Sequence, residues 1–171
     1  MKETMTAPNR YAVLFVCMGN ICRSPTAHGV FRQKLVQHGL EGLVLVDSAG
    51  TLDYHQGNPP DERAQEHALK RGYDLSDLQA RQIHALDFAA FDLILVMDWD
   101  NLEAVQEVCP SGSEGKVKRL TEFCLKFSSE VVPDPYYGGA KGFEHVLDLV
   151  EDACDGVIAQ VKSKLVDTRN R

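Results

Sequence analysis

The sequence predicts an α/β protein, a parallel sheet covered by helices on both faces. Three observations carry that expectation. Short, continuous apolar runs rich in β-formers recur along the chain, segments of helical period lie between them, and the first run stops abruptly in polar, glycine-containing sequence. Runs that are apolar on both faces suit central parallel strands, and parallel strands need a crossover, usually a helix. Sheets of this kind place ligand sites at the carboxyl ends of their strands.

The elements follow in order. Residues 1–10, MKETMTAPNR, are polar and aperiodic and read as a flexible extension; a single domain is expected over 11–166, with a tail over 167–171. Residues 11–17, YAVLFVC, form the first buried strand. Ser24 and Pro25 then signal a helix start, cap followed by first-turn proline, and Val30, Phe31, Leu35 and Val36 continue at helical spacing until Gly39. LVLVDS is a second buried strand, NPPDERAQEHALKRGY a helix opened by Pro59 and Pro60, and FDLILVMD a third strand. A helix over 101–108, a weak strand at VKRL and a long amphipathic helix over 142–165 complete the chain.

Composition narrows the class. At 171 residues the chain fits one domain, and 44% hydrophobic with 25% charged residues excludes a disordered or fibrous protein. Neither a spanning apolar run nor a signal-peptide core is visible, so a cytoplasmic protein without membrane association is expected. Five cysteines, an odd number, argue for reduced thiols rather than a disulfide framework. A formal charge of −7 disfavours nucleic acid as a partner and requires any anionic substrate to be attracted locally. A monomer is favoured.

The chemistry concentrates where the first strand meets the first helix. Cys17-Met18-Gly19-Asn20-Ile21-Cys22-Arg23-Ser24 has C-x5-R spacing. A loop between a strand end and a helix start can turn backbone N–H groups inward, and the helix dipole reinforces the resulting anion cup. Gly19 and Asn20 tolerate the left-handed backbone that such a cup needs. Arg23 supplies a planar two-pronged donor for phosphoryl oxygens. At the base of the cup, dipole, amides and Arg23 favour a Cys17 thiolate, able to attack phosphorus and form a cysteinyl-phosphate; Ser24 can donate to the sulfur.

Three segments, VCMGNICRSP, DSAGT and DPYYG, agree in order and placement with one family: over about 11–165 the chain resembles the low-molecular-weight protein tyrosine phosphatases. The resemblance implies a flavodoxin-like, three-layer fold with a four-stranded parallel sheet, no metal and no organic cofactor, and a phosphotyrosine-containing protein as substrate. It makes Asp134, between Pro133 and Pro135, the general acid for the leaving phenol. It makes Ser48 a hydrogen-bond partner of Asn20 that holds the cup open. Tyr54 and Tyr136 become the walls of a cleft deep enough to select phosphotyrosine over phosphoserine, and Cys22 a redox partner that can shield Cys17 through a reversible disulfide. One departure stands out: Leu78 occupies a position where many relatives carry a histidine in the asparagine–serine network. His28, His38, His55, His67, His84 and His145 form no metal-ligand pattern and are assigned no role.

Two other functions compete. An arsenate reductase of the same fold would use a similar oxyanion cup, but it has no need of the DPYYG acid, and Cys109, Cys124 and Cys154 form no closely spaced redox pair. A non-catalytic phosphotyrosine-binding module would not need both Cys17 and Asp134.

Overall fold

A computed structural model describes residues 10–169 of the chain. Most of the extension expected over 1–10, and residues 170–171 of the expected tail, lie outside the described residues. Four strands, β1 (Tyr11–Cys17), β2 (Val44–Gly50), β3 (Leu93–Val96) and β4 (Val117–Arg119), form one sheet in the order β2-β1-β3-β4, every pair parallel. Helices α1 (Arg23–Gln37), α2 (Glu62–Lys70), α3 (Asp87–Ala90), α4 (Trp99–Val108) and α5 (Ala140–Arg169) complete the α/β, flavodoxin-like arrangement.

Strand β1 lies inside the sheet, and its alternating side chains separate two cores. Val13, Phe15 and Cys17 join Val30, Phe31 and Leu35 of α1 and Leu147, Val150 and Val157 of α5 in one cluster. Ala12, Leu14 and Val16 join Phe88, Phe91 and Val105 in the other, beneath α3 and α4. Phe15 and Phe31, both fully buried, meet edge to face with ring centroids 5.5 Å apart. Burial of each such side chain stabilises the fold by roughly 2–3 kcal/mol. The expectation that β2 is buried on both faces is corrected: β2 is an edge strand, and Leu45 on it is 44% exposed.

Local chemistry moves several helix boundaries. The cap expected at Ser24 is corrected: α1 starts at Arg23, and the Ser24 hydroxyl turns towards Cys17 instead. Gly39, at φ +67°, ends α1 as expected, because the residue after the cap takes a left-handed conformation that glycine adopts without strain. Asp61, rather than the two prolines before it, opens α2: its carboxylate accepts from the backbone N–H of Arg63 and Ala64 at 2.8 and 3.4 Å. Asp98 does the same for α4 through the Asn101 N–H at 2.7 Å, starting that helix earlier than expected. Among the described residues, no helix is long and apolar enough to cross a membrane.

Candidate active site

The site is built where β1 ends and α1 begins. Cys17 is the last residue of β1 and pairs in register with Gly50, the last of β2. A Cβ on Gly50 would stand 2.7 Å from the Met18 carbonyl oxygen, so glycine is needed there for the loop to approach β2. Asn20 alone carries the left-handed backbone, at φ 57°; Gly19, expected to share it, instead makes room for His55, whose Cδ2 would lie 3.0 Å from an added Cβ. The turn brings the Asn20 N–H to 3.3 Å from the Cys17 sulfur.

Side chains hold this cup from behind. Asn20 Nδ2 donates to Ser24 Oγ at 2.7 Å, and its Oδ1 accepts the Arg81 N–H at 3.0 Å. With a lone pair of Ser24 engaged, its proton is available to the Cys17 Sγ at 3.0 Å, closer than the Ala49 carbonyl at 3.3 Å. The expected Ser48–Asn20 bond is corrected: Asn20 is already satisfied by Ser24 and Arg81, and Ser48 Oγ lies 3.1 Å from His28 Nδ1. Leu78 packs in the core, and the imidazole facing Ser48 comes from α1, where no local motif marks it.

Arg23 is 3% exposed and aimed into the cup. Its Nη1 donates to Asp98 Oδ2 at 2.5 Å and to the Val132 carbonyl at 3.1 Å, while Nη2 lies 3.7 Å from Asp134 Oδ2. Burial alone would weaken its basicity, but the Cys17 sulfur, Asp98 and Asp134 outweigh it and hold the guanidinium above its ordinary pKa. Asp98 is absent from the sequence-based site, although it follows the carboxyl end of β3, where such sheets gather site residues.

Cys17, Met18, Arg23, Asp134, Tyr54 and Tyr136 line one cleft of about 340 Å³, together with His55 and Tyr137, to which the sequence assigns no part in it. Tyr54 is 83% exposed at the rim, edge-on to His55. Asp134 Oδ1 accepts the Tyr136 N–H at 3.0 Å, so acid loop and cleft wall are one local turn. Cys22 is buried beside Ala64 and Phe143. Burial, then Asp61, pushes its thiol up to about 12.

A parallel sheet with a cysteine-floored, arginine-backed anion cup at the end of the inner strand β1 defines a class of cysteine-dependent enzymes acting on tetrahedral oxyanions. Comparison with known proteins specifies it further. The family model described as low molecular weight phosphotyrosine protein phosphatase matches residues 12–167, and the chain belongs to that family. The Synechocystis relative slr0328, which carries the family description, is 47% identical over 156 residues, 91% of this chain and 99% of its own. The human low molecular weight phosphotyrosine protein phosphatase is 40% identical over 146 residues, 84% of this chain and 90% of its own. In three dimensions, a protein tyrosine phosphatase of Entamoeba histolytica superposes with a TM-score of 0.87 at 40% identity, covering 90% of this chain and 98% of that one.

Proposed function

We propose that the chain hydrolyses phosphotyrosine in proteins through a cysteinyl-phosphate, with Cys17 as nucleophile, Arg23 as phosphate clamp and Asp134 as general acid. The observation that carries this is the Cys17 sulfur, which receives the Asn20 N–H and faces the Ser24 hydroxyl on the floor of the cleft that Arg23 and Asp134 also line. Two hydrogen bonds to sulfur stabilise a thiolate both as attacker and as leaving group. In the first step Sγ attacks phosphorus, the P–O bond to the phenol breaks, and the Asp134 carboxyl gives its proton to the phenol oxygen. In the second, water attacks the phosphocysteine, Asp134 takes the water proton, and Ser24 donates to the departing sulfur. Protonating a phenol whose own pKa is near ~10 contributes on the order of 10²–10⁴ in rate. Gly19, Ile21 and Cys22 complete the backbone of the cup, and Tyr54 and Tyr136 flank the substrate ring. A nucleophile that works only as a free thiol suits the reducing cytoplasm.

One comparison tests the reading. Phosphotyrosine peptide, phosphoserine peptide, and arsenate with a thiol reductant are offered to the wild-type protein and to Cys17→Ser. Only phosphotyrosine is expected to turn over, and only with Cys17. Activity persisting in Cys17→Ser removes the nucleophile assignment, and arsenate turnover with inert phosphotyrosine favours the reductase.

A further inference from the structure

We propose that Arg63 is a positioning residue, holding Tyr136 against α2 and, through Tyr136, keeping Asp134 over the cup. This rests on Asp134 being the general acid. The acid loop over 133–139 contains no strand or helix. Its root is fixed, since the Val132 N–H donates to the Met97 carbonyl at 2.7 Å and the Val132 carbonyl accepts from Arg23. Beyond Val132 its hydrogen bonds among the described residues are local: Tyr136 N–H to Asp134, Gly138 N–H to the Pro135 carbonyl at 2.9 Å, and Gly142 N–H to the Gly139 carbonyl at 2.9 Å. Two contacts reach across to the rest of the molecule: the Asp134 carboxylate, 3.7 Å from Arg23 Nη2, and the Tyr136 ring, whose centroid lies 5.3 Å from the Arg63 guanidinium carbon.

Arg63 also touches the far end of the loop. The same carbon is 4.9 Å from the ring centroid of Phe143, in the first turns of α5. Asp61 fixes the guanidinium through Nε at 3.2 Å and Nη2 at 3.0 Å, and the Asp61 N–H donates to the Ile21 carbonyl in the cup at 2.8 Å. A chain of contacts thus leaves the cup at Ile21, passes through Asp61, Arg63, Tyr136 and Asp134, and returns at Arg23. Arginine suits the position because one planar cation can take a carboxylate along its edge and aromatic rings on its face. Its charge is countered by Asp61, so its contribution is geometric. A general acid must reach hydrogen-bonding distance of the oxygen it protonates, and small displacements of such groups are costly.

The test compares kcat/KM for phenyl phosphate, which needs the acid, and p-nitrophenyl phosphate, whose acidic phenol leaves with less help. Arg63→Met is expected to lose roughly two- to fivefold more on phenyl phosphate than on p-nitrophenyl phosphate, the scale of an exposed cation–aromatic contact. Arg63→Lys, which keeps a cation but loses the planar fork on Asp61, should restore only part of that difference. In a Tyr136→Leu background, Arg63→Met should add no further leaving-group dependence. Thermal unfolding checks that the variants are folded, and Arg63→Gln replaces Arg63→Met should the latter not fold. Equal losses on the two substrates, or none, overturn the role of Arg63. Asp134→Asn is the control: if it too costs both substrates equally, the acid assignment falls.

Discussion

Arg23 has five N–H donors, and its surroundings decide where they point. Asp98 and the Val132 carbonyl both take Nη1, which fixes the guanidinium plane before phosphate arrives. Asp98→Asn removes the charge but keeps a side chain able to cap α4. It is expected to lower kcat for an aryl phosphate on the order of tenfold through lost alignment of the clamp. Competitive inhibition by inorganic phosphate should change less, because the neutral amide no longer offsets the arginine charge; steady-state kinetics with phosphate as inhibitor checks both. Cys17 and Arg23 are legible in the sequence because C-x5-R between a strand and a helix has a physical meaning in any chain. Asp134 rests on resemblance. Asp98 carries only a positional signal, the carboxyl end of a predicted strand, while Arg63 and His28 are not legible, since each acts across at least 20 residues of sequence and carries no local signature at its own position.

At the scale of elements, close approach matters more than propensity. Gly156 sits inside α5, where alanine would ordinarily favour the helix by about 1 kcal/mol. A Cβ there would stand 1.9 Å from the Phe123 carbonyl oxygen, in the 3-10 turn Leu120–Phe123 that α5 packs against. Backbone cannot swing aside as a side chain can, so Gly156→Ala should destabilise the fold by about 2–3 kcal/mol, read by urea unfolding. Gly29 offers the contrast: its added Cβ meets the end of the Leu75 side chain at 2.2 Å, and Gly29→Ala should cost less because leucine can change rotamer. Periodicity locates α5 and its buried stripe from Phe143 to Val161, but not its ends. It misses α3, a single turn too short to show a period, and it assigns β2 two covered faces because Leu45 looks like any core leucine until the strand order is known.

For the molecule as a whole, buried titratable groups define a stability plateau. Burial pulls His28 down to about 4 from 6.5, against the pull of Asp47 and Asp77 and with that of Arg32. Its folded pKa is depressed, so the unfolded chain binds the extra proton first, and stability falls as pH drops from about 6.5 to about 4. The full loss is on the order of 3 kcal/mol. On the alkaline side, burial pushes Cys22 up to about 12 and Cys124 up to about 11 from 9.0. Their folded pKa values are raised, so stability is intact below about pH 9 and falls as pH rises beyond it. Unfolding followed by chemical denaturation from about pH 4 to 10 should show a maximum between about 6.5 and 9. His28→Gln should flatten the acid limb while leaving the alkaline one. Alternation of strands and helices predicts the layered architecture, but strand order cannot be read from periodicity, because it depends on which way each crossover turns.

Among the described residues no side chain caps the first turn of α1; Cys22 precedes it without a capping bond, and Ser24 has turned to sulfur. On the proposed function, an oxyanion bound in the cup would supply the acceptors that a serine or aspartate supplies elsewhere. Recognition and secondary-structure termination would then be one event, so any tetrahedral anion that fits the cup, the product included, is expected to tighten the fold that made it.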